Sequence, residues 1–355
     1  MKSSSPVRHL LKIILLLFIM TVLSTVSCNK DGIGIYYQIS QEEAQAESEI
    51  SELKIHQVVE ASGTVYARAG LSVWKQSGSN WSKISGDNYV YTIVTYSNTL
   101  YANINSEVNS LDDGRILSYD GSVWSGLPEL SYSGAIDLIQ LEHEPAYLLM
   151  LGTGGVAEVR SSTDLTDLGN ATSQSGTINF IDGAELGGTY FGISRDTIYS
   201  DALNASPSAL SPVFDIGVSG DYRALFSDTE GTENIYLTTS TGQVYSSTDG
   251  TSWTQIGDIT DEPVRGSMDI VAVGATDYLI IGTEDGYYEM ALGGGSVVGP
   301  TATADTAGPS EFAAKYPELS IALVFDVYTT SGGTLYLATQ EGLWKRNADG
   351  SFSRQ

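Results

Sequence analysis

The stretch Ile235-Tyr236-Leu237-Thr238 is one of seven short, strand-like runs in which an apolar residue adjoins a tyrosine. The other six are Thr64-Val65-Tyr66-Ala67, Thr99-Leu100-Tyr101-Ala102, Ala146-Tyr147-Leu148-Leu149, Thr189-Tyr190-Phe191-Gly192, Asp277-Tyr278-Leu279-Ile280 and Thr334-Leu335-Tyr336-Leu337. From Tyr66 to Tyr336 the runs recur on average about every 45 residues. A period of this length is typical of a repeating unit of four short strands.

A second run precedes each tyrosine, and it is β-branched or apolar almost throughout. Such continuous runs suit a strand that is buried on both faces, so we predict that they form the innermost strand of each unit. They are Val58–Glu60, Thr92–Thr95, Asp137–Gln140, Ile178–Ile181, Arg223–Phe226, Asp269–Val273 and Leu323–Val327. The repeats predict an all-β fold, a seven-bladed β-propeller of four-stranded antiparallel blades over residues 53–355.

Two later hairpins share the form S-x-D-G-x-x-W. They are Ser118-Tyr119-Asp120-Gly121-Ser122-Val123-Trp124 and Ser247-Thr248-Asp249-Gly250-Thr251-Ser252-Trp253. Two further stretches match this form in part. Ser162-Thr163-Asp164-Leu165 matches its first half, and Ala348-Asp349-Gly350-Ser351-Phe352 is a diverged copy of it. In such a turn glycine tolerates positive φ, the carboxylate accepts hydrogen bonds from turn amides, and the aromatic side chain packs between units. We therefore expect structural roles for Ser118, Asp120, Trp124, Ser247, Asp249 and Trp253.

These hairpins resemble the Asp-box, or bacterial neuraminidase, repeat, which in that family lies on the outer part of a propeller blade. The copies here are one residue shorter than the usual S-x-D-x-G-x-T-W, and they cover at most four of the seven repeats. The resemblance raises a sialidase hypothesis, which implies three channel-facing arginines, a Tyr–Glu nucleophile pair and an acid/base Asp. Only Arg223 falls within an inner-strand run, and Arg265 shortly precedes another. A three-arginine clamp cannot be assembled, so we predict no catalytic residues.

The first 28 residues read MKSSSPVRHLLKIILLLFIMTVLSTVSC. Lys2, Arg8 and Lys12 make the start basic, and 13–23 is apolar except for Thr21. This run is shorter than the roughly 18–20 residues that a membrane-spanning helix needs, and small residues follow it. We therefore predict that residues 1–27 are a secretory signal peptide and that the chain is exported.

Cys28 is the only cysteine in the chain and stands where a signal peptide would be cut. Leu23-Ser24-Thr25-Val26-Ser27-Cys28 resembles a bacterial lipoprotein box, although Thr25 stands where the usual box has Leu, Val or Ile. The resemblance implies that Cys28 becomes the first mature residue and carries acyl groups. More than one acyl chain anchors a protein stably, so we expect a membrane-anchored lipoprotein of the bacterial cell envelope, periplasmic or on the surface. The alternatives are an ordinary signal peptide with an incidental cysteine and an uncut membrane anchor.

The charge balance excludes a class of partners. The 355 residues include 17 Lys and Arg against 43 Asp and Glu, a formal net charge of −26, whereas nucleic-acid binding requires a basic footprint. Such acidity favours solubility and disfavours anionic surfaces, which suits a tethered, monomeric domain. Residues 28–52 are the expected lipidated N-terminus and linker, in which Gln41–Glu49 is either a flexible spacer or a short solvated helix.

Residues for metal or cofactor chemistry are scarce. One cysteine and three histidines supply no thiolate cluster or histidine-rich site, and Asp112-Asp113-Gly114 and Glu284-Asp285-Gly286 lack the ligand spacing of a calcium loop. We predict no metal and no cofactor. A further hypothesis is a negative channel mouth that binds a cation or a basic peptide, formed by acids near the inner strands: Glu60, Asp137, Asp182, Asp269 and Asp326.

The sequence favours a membrane-anchored, non-enzymatic propeller that binds a protein or glycan partner. The alternative is a glycosidase-like enzyme that uses acidic residues in the channel. The long interval between Tyr278 and Tyr336 holds an insertion, 292–320, which is a decorated loop or a binding loop with a short helix at 310–315. Either Gly350–Gln355 completes the last blade or Gly34–Ile39 adds a strand to it.

Overall fold

The computed structural model describes residues 50–52, 54–96, 98–105, 115–131, 135–141, 147–152, 157–161, 167–171, 181–202, 211–214, 220–228, 233–259, 264–292, 297–298, 319 and 322–355. These ranges contain 28 β-strands, and Leu319 is the one described residue in helical conformation. The described residues include no helix with the length and apolar character needed to cross a membrane. The all-β prediction is confirmed. The described residues belong to one unit, Ser48–Gln355, whose first strand begins at Ile55.

The described strands form seven antiparallel sheets, and each sheet takes four consecutive strands in sequence order. The first three sheets are β1 (Ile55–Ala61), β2 (Thr64–Ala69), β3 (Ser72–Ser77), β4 (Asn80–Lys83); β5 (Tyr89–Tyr96), β6 (Thr99–Asn105), β7 (Arg115–Tyr119), β8 (Trp124–Ser131); and β9 (Ala135–Leu141), β10 (Tyr147–Gly152), β11 (Ala157–Ser161), β12 (Asp167–Ala171). The fourth and fifth are β13 (Asp182–Leu186), β14 (Thr189–Ile193), β15 (Ile198–Ala202), β16 (Ser211–Phe214); and β17 (Tyr222–Asp228), β18 (Asn234–Thr239), β19 (Gln243–Ser247), β20 (Thr254–Asp258). The sixth and seventh are β21 (Val264–Val273), β22 (Thr276–Thr283), β23 (Tyr287–Ala291), β24 (Val297–Val298); and β25 (Val324–Thr329), β26 (Leu335–Thr339), β27 (Gly342–Arg346), β28 (Phe352–Arg354).

The tyrosines that define the repeat occupy equivalent places. Each of the seven lies in the second strand of its sheet: Tyr66, Tyr101, Tyr147, Tyr190, Tyr236, Tyr278 and Tyr336. The preceding apolar runs fall in the first strands, except in the fourth sheet. There Ile181 lies before β13, so its assignment to the inner strand is wrong, while 178–180 lie outside the described residues. The Gly187-Gly188 turn explains this register, since both glycines have positive φ and place Leu186 opposite Thr189.

The first strands contact one another in cyclic order: β1, β5, β9, β13, β17, β21, β25 and back to β1. They therefore line the inner edge of the assembly of sheets, and the outer strands lie further from its centre. Apolar cores lie between the faces of neighbouring sheets. Ala338 and Leu343 of the seventh sheet, for example, pack with Val58 and Ala67 of the first.

The seventh sheet is completed by the end of the chain. Phe352–Arg354 forms β28 and pairs with β27, as one of the two predicted alternatives for the last blade requires. The other alternative, a strand from Gly34–Ile39, lies outside the described residues. The same holds for most of the insertion 292–320, including its expected helix at 310–315.

Candidate functional site

The inner edge of the sheets is held together by bonds between neighbouring first strands. A strand at the edge of a sheet leaves alternate backbone N–H groups without a partner in that sheet. Here side chains of the preceding first strand accept from such groups. Val58 N donates to Asp326 Oδ2 at 2.8 Å, and Leu225 N donates to Asp182 Oδ2 at 2.9 Å.

The same arrangement recurs at other junctions. Ile93 N donates to Gln57 Oε1 at 3.0 Å between the first and second sheets. Between the sixth and seventh sheets, Val327 N donates to Ser267 Oγ at 2.8 Å and Thr329 N donates to Asp269 Oδ2. The polar residues near the start of these first strands therefore act as acceptors for edge amides.

This arrangement gives structural roles to acids that the sequence placed at a negative channel mouth. Asp182, Asp269 and Asp326 bond backbone amides of the next sheet, and Glu60 Oε2 accepts from Ser331 N at 2.7 Å. The side chain of Asp137 lies outside the described residues. The described residues contain no group of three or more His, Cys, Asp or Glu arranged to hold a metal.

A β-bulge interrupts the first strand near its N-terminal end. The strand register skips one residue in each of β1, β5, β9, β17 and β25, and these residues are His56, Tyr91, Ile136, Arg223 and Phe325. In β21 the register skips residues 265–267, so Arg265 lies within the first strand rather than before it. A bulge leaves its extra residue unpaired and can re-aim a side chain.

The fourth sheet has an equivalent residue just before its first strand. Ile193 pairs with Asp182, and Ile193 O also accepts from Ile181 N at 2.8 Å. Two consecutive residues therefore oppose one, as in a bulge. The side chain of Ile181 is 38% exposed, which is unusual for a large hydrophobic residue in this structure.

The bulges lie at one level of the inner edge. In four sheets, the residue two positions after the bulge donates its N–H to the preceding sheet: Val58, Ile93, Leu225 and Val327. Because these equivalent bonds fix equivalent heights, the bulged residues lie together at one end of the first strands. We call this set the bulge ring: His56, Tyr91, Ile136, Ile181, Arg223, residues 265–267 and Phe325.

The bulge ring has an aromatic side and a cationic side. The rings of His56 and Phe325, from the first and seventh sheets, lie 4.5 Å apart. Burial is the main cause that lowers the pKa of His56 to about 4, and the positive charges of Arg68 and Lys54 lower it further. The imidazole is therefore neutral at pH 7. Arg223 is half-buried, and among the described residues no acceptor bonds its buried Nε. Among the described side chains of the bulge ring, Arg223 is therefore the positively charged one.

The motif residues lie elsewhere, on hairpins between third and fourth strands. Asp249 Oδ1 accepts from Thr251 N at 2.7 Å and from Ser252 N at 2.6 Å, and Ser247 Oγ accepts from Gly250 N at 2.8 Å. The backbone bonds hold the pKa of Asp249 well below its usual range. Trp253 Nε1 donates to Gly250 O at 3.1 Å and its ring packs on the core between the fourth and fifth sheets.

The second hairpin repeats this geometry. Asp120 Oδ1 accepts from Ser122 N and Val123 N, both at 2.9 Å, and the pKa of Asp120 is lowered by these bonds. Trp124 Nε1 donates to Ile84 O at 2.9 Å, which ties the second sheet to the end of the first. Ser118 Oγ lies 3.5 Å from Ser125 O.

The diverged copy of the motif in the last sheet forms a similar turn, in which Asp349 Oδ1 accepts a hydrogen bond from Ser351 N at 2.9 Å. Ser162–Leu165 and Cys28 lie outside the described residues. The described motif residues thus lie on hairpins between outer strands, whereas the bulge ring lies on the first strands and was not singled out by the sequence.

The chain is similar to known proteins in its fold, not in its sequence. No family model matches the chain, and no curated protein matches it significantly. The extracellular domain of BT4673 from B. thetaiotaomicron superposes with a TM-score of 0.61 and 11% identity, over 83% of this chain and 38% of that chain. The WD40 β-propeller domain of Doa1 superposes with a TM-score of 0.58 and 12% identity, over 85% of this chain and 94% of that chain. The described domain is a β-propeller.

A third propeller neighbour is PorZ, a bacterial surface component of the type-IX secretion system of Porphyromonas gingivalis. It has a TM-score of 0.58 and 16% identity, over 87% of this chain and 38% of that chain. This chain therefore spans well under half of the BT4673 and PorZ chains. At these identities the likeness shows the fold alone.

Proposed function

We propose that this protein is a membrane-anchored, non-enzymatic propeller of seven blades that binds a protein partner at the cell envelope. The proposal that the protein is not an enzyme is supported by one observation. Three described acids of the first strands, Asp182, Asp269 and Asp326, accept backbone hydrogen bonds between sheets. A glycosidase needs two carboxylates that flank a scissile bond, and these carboxylates are held by the scaffold.

The closed ring of seven blades is supported by the junction between the last and first sheets. Besides the bond from Val58 N to Asp326, Glu60 N donates to Tyr328 Oη at 3.0 Å. Strands β1 and β25 are also in contact, which completes the cyclic order of first strands. A closed ring leaves no open sheet face at its ends and offers rigid surfaces for binding.

Anchoring through Cys28 is supported by the lipoprotein-like box around it. PorZ, which has a similar fold, is a bacterial surface component, and this agrees with an envelope location. In this proposal the acidic segment 28–52 holds the propeller away from the anionic membrane surface.

The anchor is tested by expressing the full chain and Cys28→Ala in bacteria with an alkyne-tagged fatty acid. The wild type should be labelled and should sediment with membranes, whereas Cys28→Ala should lose the label and leave the membrane fraction. Ser51→Ala, which lies outside the box, is the matched control. An unchanged membrane fraction for Cys28→Ala would contradict lipid anchoring.

Partner binding is tested by cross-linking intact cells and identifying linked peptides by mass spectrometry. A carboxylate-reactive dihydrazide suits this chain because it has 43 acidic residues against 17 Lys and Arg. We expect recurrent links from one face of the propeller to one envelope protein. Release of sugars from envelope glycans by the purified protein would instead support the glycosidase alternative.

A further inference from the structure

We propose that the bulge ring binds an extended segment of the protein partner, with a carboxylate of that segment on Arg223 and an apolar side chain against His56 and Phe325. This inference rests on the proposed binding function and assigns it a site. It commits to a peptide ligand whose carboxylate comes from an Asp or Glu side chain or from a free C-terminus.

The bulge ring lies at one end of the innermost strands, and each described sheet contributes backbone to it. At His56, Arg223 and Phe325 the strand register skips one residue, and the bonds between sheets are made two residues later, by Val58, Leu225 and Val327. The bonds between sheets described above do not use the side chains of His56, Arg223 and Phe325, which a bulge can aim elsewhere.

The bulge ring differs in charge from the rest of the chain. The chain has a formal charge of −26, yet no Asp or Glu stands in the bulge ring. Asp182, which follows Ile181 directly, bonds Leu225 N. Arg223 lies half-buried, and no described residue accepts a hydrogen bond from its Nε. A guanidinium in such a place favours a carboxylate, which it binds with two parallel hydrogen bonds.

The side-chain chemistry of the bulge ring favours a peptide ligand over a neutral glycan. Sugar hydroxyls both donate and accept hydrogen bonds, so a glycan site needs acceptors, whereas Arg223 only donates. The acids beside the ring are engaged by backbone amides. Arginine and aromatic residues with apolar neighbours are instead the residues enriched at the centres of protein interfaces. Phe325 against His56 and the exposed Ile181 provide such apolar surface.

The experiment selects ligands for the full-length protein, in detergent, from a display library of short random peptides. Enriched peptides are then resynthesised and their affinities are measured for the wild type, Arg223→Gln and Phe325→Ala. Arg195→Gln is the matched control because Arg195 is a surface arginine whose Nε already bonds Asp221 Oδ1 at 2.8 Å. Thermal melting of each variant shows whether it is folded, and Arg223→Lys serves as a second, milder variant that keeps the charge.

We expect enriched peptides that combine an acidic group with aromatic or aliphatic residues. Arg223→Gln should weaken their binding about tenfold or more, the loss typical of one hydrogen bond to a charged group, while Arg195→Gln leaves it unchanged. Amidation of the C-terminus will abolish binding if the terminal carboxylate is the ligand. Replacement of Asp or Glu by Asn or Gln will abolish binding if a side chain is the ligand.

Two outcomes would overturn the site. One is that enriched peptides bind equally to the wild type and to folded Arg223→Gln and Phe325→Ala. The other is that a glycan array shows binding with which a peptide pool does not compete. If cross-links to an envelope protein persist in Arg223→Gln cells, the binding function stands and the site assignment fails. If no cross-linked partner and no peptide ligand are found, the proposed function itself fails.

Discussion

The carboxylate of Asp326 in the seventh sheet accepts a hydrogen bond from the backbone N–H of Val58 in the first sheet, at 2.8 Å across 268 positions of the chain. The bond satisfies an edge amide that has no partner in its own sheet. It also joins the two ends of the described domain, because the first and last sheets are each built from one continuous segment. Among the described residues, the junction between the first and last sheets therefore rests on side-chain bonds and packing rather than on a sheet that both ends share.

The first prediction follows from this bond. Asp326→Ala leaves the Val58 amide unsatisfied, and we expect the free energy of unfolding to fall by about 1–3 kcal/mol. Asp326→Asn keeps an acceptor oxygen and should lose less. Urea denaturation measures both changes, with the exposed turn residue Asp87 replaced by Ala as a control that should change stability by less than about 0.5 kcal/mol. Equal stability of Asp326→Ala and the wild type would show that the junction does not need this carboxylate.

The second prediction compares equivalent glycines of the two S-x-D-G-x-x-W hairpins. Gly121 and Gly250 have φ of 97° and 69°, so alanine at either position is strained by about 1 kcal/mol or more. They differ in their surroundings. A Cβ on Gly250 would lie 2.0 Å from Phe191 of the neighbouring sheet, whereas a Cβ on Gly121 would meet no atom within 4 Å.

Gly250→Ala should therefore cost about 1–3 kcal/mol more than Gly121→Ala, the range of overpacking in a filled core. Thermal and urea unfolding of the two variants measure the difference directly. Phe191→Leu in the Gly250→Ala background should recover part of the loss by opening space. Equal costs for the two alanine variants would mean that the Phe191 contact relaxes without strain.

The sequence predicted the strands of this domain because their signal is local. The tyrosine runs, the apolar runs before them and the Asp-Gly turns are each complete within a few residues, and six of the seven first strands fall where the apolar runs placed them. The fourth differs because the glycine turn after Leu186, rather than the apolar run before Asp182, sets the register.

The bulge ring and the roles of the inner acids could not be read from the sequence for a physical reason. The bulged residues His56, Tyr91, Arg223 and Phe325 share no side-chain class, since a bulge is defined by hydrogen-bond register rather than by residue type. The partner of Asp326 is a backbone amide 268 positions away, which no local pattern encodes. An acid near a strand therefore suggested a ligand site where the structure has a junction between sheets.

The third prediction concerns His56 and acid pH. Its pKa in the folded protein is lowered from 6.5 to about 4, chiefly by burial. As pH falls from about 6.5 to 4, the unfolded chain takes up a proton that the folded protein refuses, so stability falls over that range. His56→Gln removes this titration, and its stability relative to the wild type should rise as the pH is lowered from 7 to 4.5. Two parallel curves of stability against pH would contradict this assignment.

The fourth prediction has the opposite sign and comes from Glu289 on β23, whose side chain is only 3% exposed. Burial raises the pKa of Glu289 from 4.5 to about 7, although Arg346 and a hydrogen bond with Tyr287 partly oppose the shift. Between these pH values the folded protein keeps a proton that the unfolded chain releases. The stability that this proton provides is therefore present below pH 4.5 and lost as pH rises through 7, with a total of about 3 kcal/mol.

Glu289→Gln stays neutral at every pH and keeps the size of the side chain. We expect the variant and the wild type to unfold at similar urea concentrations at pH 4.5, and the variant to be more stable at pH 8.5, where the wild type must bury a carboxylate. Glu233→Gln, at an exposed position, is the control and should follow the wild type at both pH values. If Glu289→Gln also follows the wild type at both pH values, the carboxyl group has the same pKa in the folded and the unfolded chain, and Arg346 and Tyr287 fully offset the effect of burial.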